Sequence, residues 1–136
     1  MKKSLKDFVL NLSNASLARA NLQSADLSSA LAKGVDFRLA NFREAVMRLA
    51  NLEGSDFSGA DLSYADLTGA NLSGAILRKV NMSHVELDEA DLRGADLSGV
   101  INLDPRELAD ALGDDNTILP ENVERPESWS SPIPAI

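Results

Sequence analysis

The chain has 136 residues, no cysteine and a formal net charge of −8 from 13 Lys or Arg and 21 Asp or Glu. Lacking any thiol, it can have no disulfide framework, no thiolate metal site and no thiol nucleophile. It also contains no apolar run long enough to span a membrane, and neither membrane association nor direct contact with nucleic acid is expected.

Residues 1–9 stand outside the pattern that follows and read as an N-terminal cap. Met1-Lys2-Lys3 is basic, but Asp7 and Asn11 interrupt the next apolar stretch, which is too short for a signal-peptide core. A soluble, cytoplasmic protein is the expectation. Ser4-Leu5-Lys6-Asp7 predicts a short helical turn that points Leu5, Phe8 and Val9 at whatever comes next.

From Leu10 to Gly99 the chain repeats every five residues without insertion or deletion. The central positions run 12, 17, 22 and onward to 97, eighteen units in all, and every centre except Ala32 is Leu, Phe or Met. A period of five excludes one amphipathic α-helix, because steps of five residues rotate by about 140° and scatter the leucines around the axis. Within each unit, small and large apolar residues alternate with Asn or Asp, as in a short strand with one buried face. The two remaining positions, rich in Ser, Arg and Gly, suit a tight turn. Equal strand-and-corner units must coil into a solenoid with layers about 4.8 Å apart.

Units such as Ala60-Asp61-Leu62-Ser63-Tyr64 and Ala95-Asp96-Leu97-Ser98-Gly99 resemble the A(D/N)LXX motif of the pentapeptide-repeat proteins. The resemblance implies an all-β solenoid, a right-handed quadrilateral β-helix with four units per coil. Eighteen units then make about 4.5 coils, a rod about 22 Å long at the layer spacing. One column supports the closure: residues twenty apart at the end of the first face read Asn14, Gly34, Gly54, Gly74 and Gly94. Those residue types tolerate the positive φ that the third position of a type II turn demands.

Centres form the core, with Leu12, Ala32, Leu52, Leu72 and Leu92 on one face and Leu17, Phe37, Phe57, Leu77 and Leu97 on the next. The unit Ala30-Leu31-Ala32-Lys33-Gly34 displaces its Leu by one position. Either Leu31 is exposed or the strand bulges to turn it inward; the bulge is favoured because an empty centre leaves a cavity.

Residues 100–113 read as a C-terminal capping helix laid over the last coil. Asp104-Pro105-Arg106-Glu107 combines an N-cap, a first-turn proline and a capping-box Glu, and Gly113 suits a helix stop. Residues 114–136 contain four of the five prolines and resemble the tail of many bacterial pentapeptide-repeat proteins. This tail is expected to fold back along the rod and bury Trp129 against Val46, Leu49 and Tyr64.

Charge is uneven. Residues 1–49 carry eight Lys or Arg against four Asp or Glu, residues 50–99 three against nine, and residues 100–136 two against eight. Lys33, Arg38, Arg43 and Arg48 occupy the same position in four consecutive units, a candidate basic ring, one per face. Pairing with Glu53, Asp36 or Glu44 is the competing account of them. Leu39, Val46, Leu49, Tyr64 and Ile76 interrupt the polar positions and form the candidate interaction surface, open to cover by the tail, to a partner or to self-association.

No catalytic, cofactor-binding or metal-binding constellation is legible. His84 is the only histidine, and the glycines are not clustered as in a phosphate loop. The expected function is non-enzymatic: a protein-protein interaction scaffold with an unknown protein partner, monomeric or homodimeric. The alternative implied by the resemblance is a DNA mimic that binds a type II topoisomerase through Asp56, Asp61 and Asp66.

Overall fold

The computed structural model describes residues 9–130; the helical turn expected at Ser4–Asp7 and nearly all of the N-terminal cap lie outside them. Parallel bridges join positions twenty apart along every face, from Asn11 to Leu31 to Asn51 to Asn71 to Asp91 on the first, and likewise on the other three. The chain therefore lies on itself once every four units. We call the faces first to fourth, with centres beginning at Leu12, Leu17, Leu22 and Leu27.

Each unit makes the same bonds. In the unit around Leu52, the Asn51 N–H donates down to the Ala30 carbonyl (2.9 Å), while the Leu52 and Gly54 N–H groups donate up to Asn71 (2.8 Å) and Ser73 (3.0 Å). The Ser55 N–H then closes the corner onto the Leu52 carbonyl at 3.1 Å. Seventeen of the eighteen corners close this way. The residue before each closing N–H has positive φ in all eighteen, seven of them glycine and eleven not. Left-handed geometry thus holds on every face and is not special to the Gly34–Gly94 column. A side chain on Gly54 or Gly74 would meet nothing within 4 Å, so glycine there relieves backbone strain only.

The exceptional corner lies at Val35. Its N–H donates not to Ala32 but to the Ser55 hydroxyl of the next coil (2.9 Å), which donates onward to the Ala32 carbonyl (2.6 Å). Ser55 is fully buried and its hydroxyl completes a turn that the local chain leaves open. The expected bulge at Leu31 does not form. Leu31 stays outside at 41% exposure, and Ala32 holds the centre. A bulge would break the ladder bonds of Leu31 N–H to Leu10 (2.8 Å) and of Ala32 N–H to Asn51 (2.7 Å). The same coil carries Phe37 and Phe42, both larger than Leu, and Phe37 stacks on Phe57 with ring centroids 5.0 Å apart. Those rings supply bulk that Ala32 does not.

Beyond Gly99 the chain continues to coil. Ile101 bridges Asn81, Leu112 bridges Asp91 and Ile118 bridges Asp96. In place of the expected α-helical lid there is one 3-10 turn, Pro105–Leu108, capped by the Asp104 side chain. It cannot lengthen, because Leu112 is already held by Ala90 (2.8 Å) and Leu92 (2.7 Å) on the first face. Asp114 then supplies a carboxylate oxygen to the Gly94 N–H at 3.1 Å, where a backbone carbonyl serves the lower coils.

As far as Ser130 the tail does not run back along the rod. A second 3-10 turn, Glu127–Trp129, brings the indole onto the last coil, where its N–H donates to the Ala111 carbonyl at 3.0 Å. Gly113 is no helix stop; a Cβ there would lie 2.2 Å from the indole, so this glycine makes room for the ring. Arg125 locks the same segment by donating to the Asp114 (2.6 Å) and Thr117 (2.7 Å) carbonyls. Trp129 therefore caps the end of the core, and among the described residues Leu49 and Tyr64 stay exposed and Val46 half-buried.

Two stability predictions follow from these contacts. Ser55→Ala orphans the Val35 N–H and is expected to lower the unfolding free energy by about 1–2 kcal/mol in urea titration; no change would mean that the corner closes directly onto Ala32. Trp129→Ala is expected to cost about 3 kcal/mol, and native Trp emission should be blue-shifted and protected from acrylamide.

Candidate functional site

The outer surface is built from three positions per unit: the residue that bridges, and the two corner residues. Thirteen units carry Asn or Asp at the bridging position, and in all thirteen its Oδ1 accepts the backbone N–H two residues on, as in Asp61 to Ser63 at 2.9 Å. These are Asx turns. Ser58, Ser63, Thr68, Ser73 and Ser98 add a hydroxyl bond to the same oxygen. The Asn and Asp that read from sequence as a solvated strand position are thus corner-forming groups. That signal was present in the pairing of Asp or Asn with Ser two residues later.

These bonds set the carboxylate chemistry. The Arg38 side chain, which donates to both Asp36 oxygens at 2.9 Å, together with the Arg38 backbone N–H, holds the Asp36 pKa down at about 2. Arg93 likewise lowers Asp91. Burial acts to raise Asp96, but the side-chain and backbone bonds from Ser98 outweigh it and the net shift is downward. Glu86 is the exception: it stacks above Asp66, whose like charge raises it.

The four residues of the basic ring lie on four faces and each meets a carboxylate. Lys33 reaches Glu53 at 3.7 Å, Arg38 reaches Asp36, Arg43 reaches Glu44 at 3.8 Å, and Arg48 reaches Asp66 at 3.1 Å. They do not converge. Among the described residues no group of three His, Asp or Glu is placed to hold a metal ion. None of the described helices is long and apolar enough to cross a membrane.

The apolar candidates divide between two parts of the rod. Val46 and Leu49 lie on the fourth face, one at a bridging position and one at a corner, and Tyr64 stands at the corner leading into that face one coil up. Tyr64 stacks on His84 with centroids 4.6 Å apart, and the Arg43 guanidinium lies 4.9 Å from its centroid. Leu39 and Ile76 lie on the second face, at opposite sides and two coils apart.

A repeat of five residues with a ladder of twenty decides the family, and the profile for pentapeptide repeats matches eight copies over residues 10–38, 36–74 and 65–101. The chain belongs to the pentapeptide-repeat family. A pentapeptide-repeat protein from Nostoc PCC 7120 is 38% identical, with 84% of this chain and 77% of that one covered and a TM-score of 0.48. One from the cyanobacterium Cyanothece 51142 is 28% identical, covering 82% and 89%, with a TM-score of 0.46. A third, from the Arabidopsis thaliana thylakoid lumen, is 30% identical, covering 76% and 78%, with a TM-score of 0.43. No curated protein matches the chain.

Within this pentapeptide-repeat fold the lowered aspartates have a pH consequence. Their folded pKa values lie below the unfolded value of about 4, so their contribution to stability is present above pH 4 and is lost as pH falls through the folded values, about 2 for Asp36. Thermal midpoints should drop through that window. Asp36→Asn keeps a corner acceptor but not the charge, so its deficit relative to the native chain should be present at pH 6 and vanish near pH 2.

Proposed function

We propose that this pentapeptide-repeat rod, with the right-handed sense its family resemblance implies, is a non-catalytic scaffold that binds another protein through the Val46, Leu49 and Tyr64 surface of its fourth face. The observation that carries the reading is Leu49. It sits at φ 58°, in the left-handed region, with 69% of its surface exposed. The left-handed conformation costs a non-glycine residue about 1–2 kcal/mol, and seven other corners avoid that cost with glycine. Beside it, Val46 occupies a position where thirteen units place a corner-capping Asn or Asp, and so forgoes that bond. Of the ten other non-glycine corners eight are polar, so Leu49, like Val46, departs from the residue type that the repeat mostly places there, and together with Tyr64 they offer an apolar surface with an aromatic anchor.

A cysteine-free chain of this kind suits a cytoplasmic setting. The topoisomerase-binding alternative draws on Asp56, Asp61 and Asp66. They occupy three faces of one coil, and each engages one oxygen at its own corner. That arrangement supports the scaffold reading over a continuous acidic ladder.

The test is the double variant Val46→Asn, Leu49→Gly, which restores the repeat's own preferences. Its stability is expected to equal or exceed that of the native chain by up to about 1 kcal/mol, while cross-linked partner recovery is lost. Sedimentation of both chains separates a second copy from a different partner. A loss of stability with unchanged partner recovery would assign these side chains to the fold and defeat the proposal.

A further inference from the structure

Where the second face turns into the third, the corner column reads Arg19, Leu39, Gly59, Lys79 and Gly99, and the position before it reads Ala18, Arg38, Ser58, Arg78 and Ser98. An open groove of about 640 Å³ runs along this edge. Four cations line it, Arg19, Arg38, Arg78 and Lys79, and no carboxylate does, in a chain whose net charge is −8. Nothing in the scaffold reading uses this edge apart from the general account of exposed leucines.

Its shape follows from the repeat. Gly59 has no side chain, and the Leu39 side chain of the coil below folds across it, with Cδ2 2.7 Å from where a Cβ would stand. Ser58 turns its hydroxyl away to Asp56 at 2.6 Å. The floor is therefore small and apolar. Arg19 and Arg38 close it on one side, and Arg78 and Lys79 on the other. The rows of Arg38 and Arg78 are two layers apart, about 10 Å.

The charge here is only partly committed. Asp36 occupies Nε and one terminal nitrogen of Arg38, and Arg78 lies 3.9 Å from Asp96. Arg19 and Lys79 enter no ion pair among the described residues. The neighbouring bridging column on the third face is mostly neutral, with Asn21, Asn41 and Asn81 beside the single Asp61.

We propose that this groove binds a small ligand with an apolar body and an anionic group at each end, about 10 Å apart, of the α,ω-dicarboxylate class. Its volume lies in the usual range for small-molecule sites. A long polyanion is disfavoured because along the rod it would meet the acidic coils above, whereas a ligand confined to the groove spans only the layers between Arg38 and Arg78, where the nearby carboxylates of Asp36, Asp56 and Asp96 are engaged by Arg38, Ser58 and Arg78.

The proposal is tested by calorimetric titration of the full chain with azelate, a nine-carbon dicarboxylate. Nonanoate, which has one carboxylate, and inorganic sulfate serve as comparisons. Azelate should bind saturably with one site, and nonanoate and sulfate should each bind about tenfold more weakly or less. Arg78→Gln with Lys79→Gln should weaken azelate about tenfold, and Ser58→Phe, which fills the groove, should abolish binding. Arg106→Gln, at the far end, removes one charge and should leave affinity within about twofold. Thermal melts matching the native chain show that each variant is folded. Equal binding of azelate and sulfate, indifference to Arg78→Gln with Lys79→Gln, or tighter binding of a single-stranded oligonucleotide through the same cations would overturn the proposal.

Discussion

A chain that turns four times per coil must close each turn with its own backbone, and the bond from the N–H after the corner to the carbonyl of the buried centre does so at seventeen of eighteen corners. Everything else in the rod is arranged around that bond. It requires positive φ at the preceding residue, which is met on all four faces, mostly without glycine. It places the small apolar residue after each corner inside, where Ala, Val or Ser is all the tube can admit beside a large centre. The Asx oxygen that accepts a second corner N–H makes the same turn more favourable, which explains why Asp and Asn recur where solvation alone would accept any polar residue.

The one corner that lacks its own bond shows how the solenoid compensates. Ser55 reaches from the next coil to complete the turn at Val35, and Thr117 donates its hydroxyl at 2.8 Å to the Leu92 carbonyl, which already accepts the Ala95 N–H. Both residues belong to one column, above Val35 and Ala95 respectively. Irregularity in this protein is absorbed by the coil above, since each layer touches only its neighbours. The C-terminal segment follows the same logic: it departs from the five-residue period yet keeps pairing, and Asp114, Arg125 and Trp129 satisfy the groups that a further coil would otherwise serve.

A frame this repetitive makes departures from it informative. Exposed leucines at left-handed corners, apolar residues at bridging positions and an edge with four cations are features that the corner chemistry does not require. Leu39 and Leu49 lie over Gly59 and Gly69 of the next coil, so the missing side chain above is what gives each leucine somewhere to rest. The same pairing that accommodates a large corner residue also cuts a notch beside it. Binding features on this rod are thus made in pairs, one coil supplying the side chain and the next supplying the space.

The five-residue period, read alone, determined the solenoid and the inward centres, because both are direct consequences of equal strand-and-corner units; the twenty-residue layer came with the resemblance to the pentapeptide-repeat proteins, and the ladder of bridges established it. The period also located Val46, Leu49 and Leu39 as departures. Three things were decided only by tertiary contact. Leu31 remained outside because its ladder bonds on both sides outweigh the volume gained by turning inward. The tail capped the last coil instead of running along the rod because Leu112 and Ile118 found open ladder positions there and Gly113 left room for the indole. The cationic groove is assembled from Arg19, Arg38, Arg78 and Lys79, residues of three different coils. Its floor depends on how Leu39 lies across Gly59, a contact between side chain and space that no linear pattern encodes.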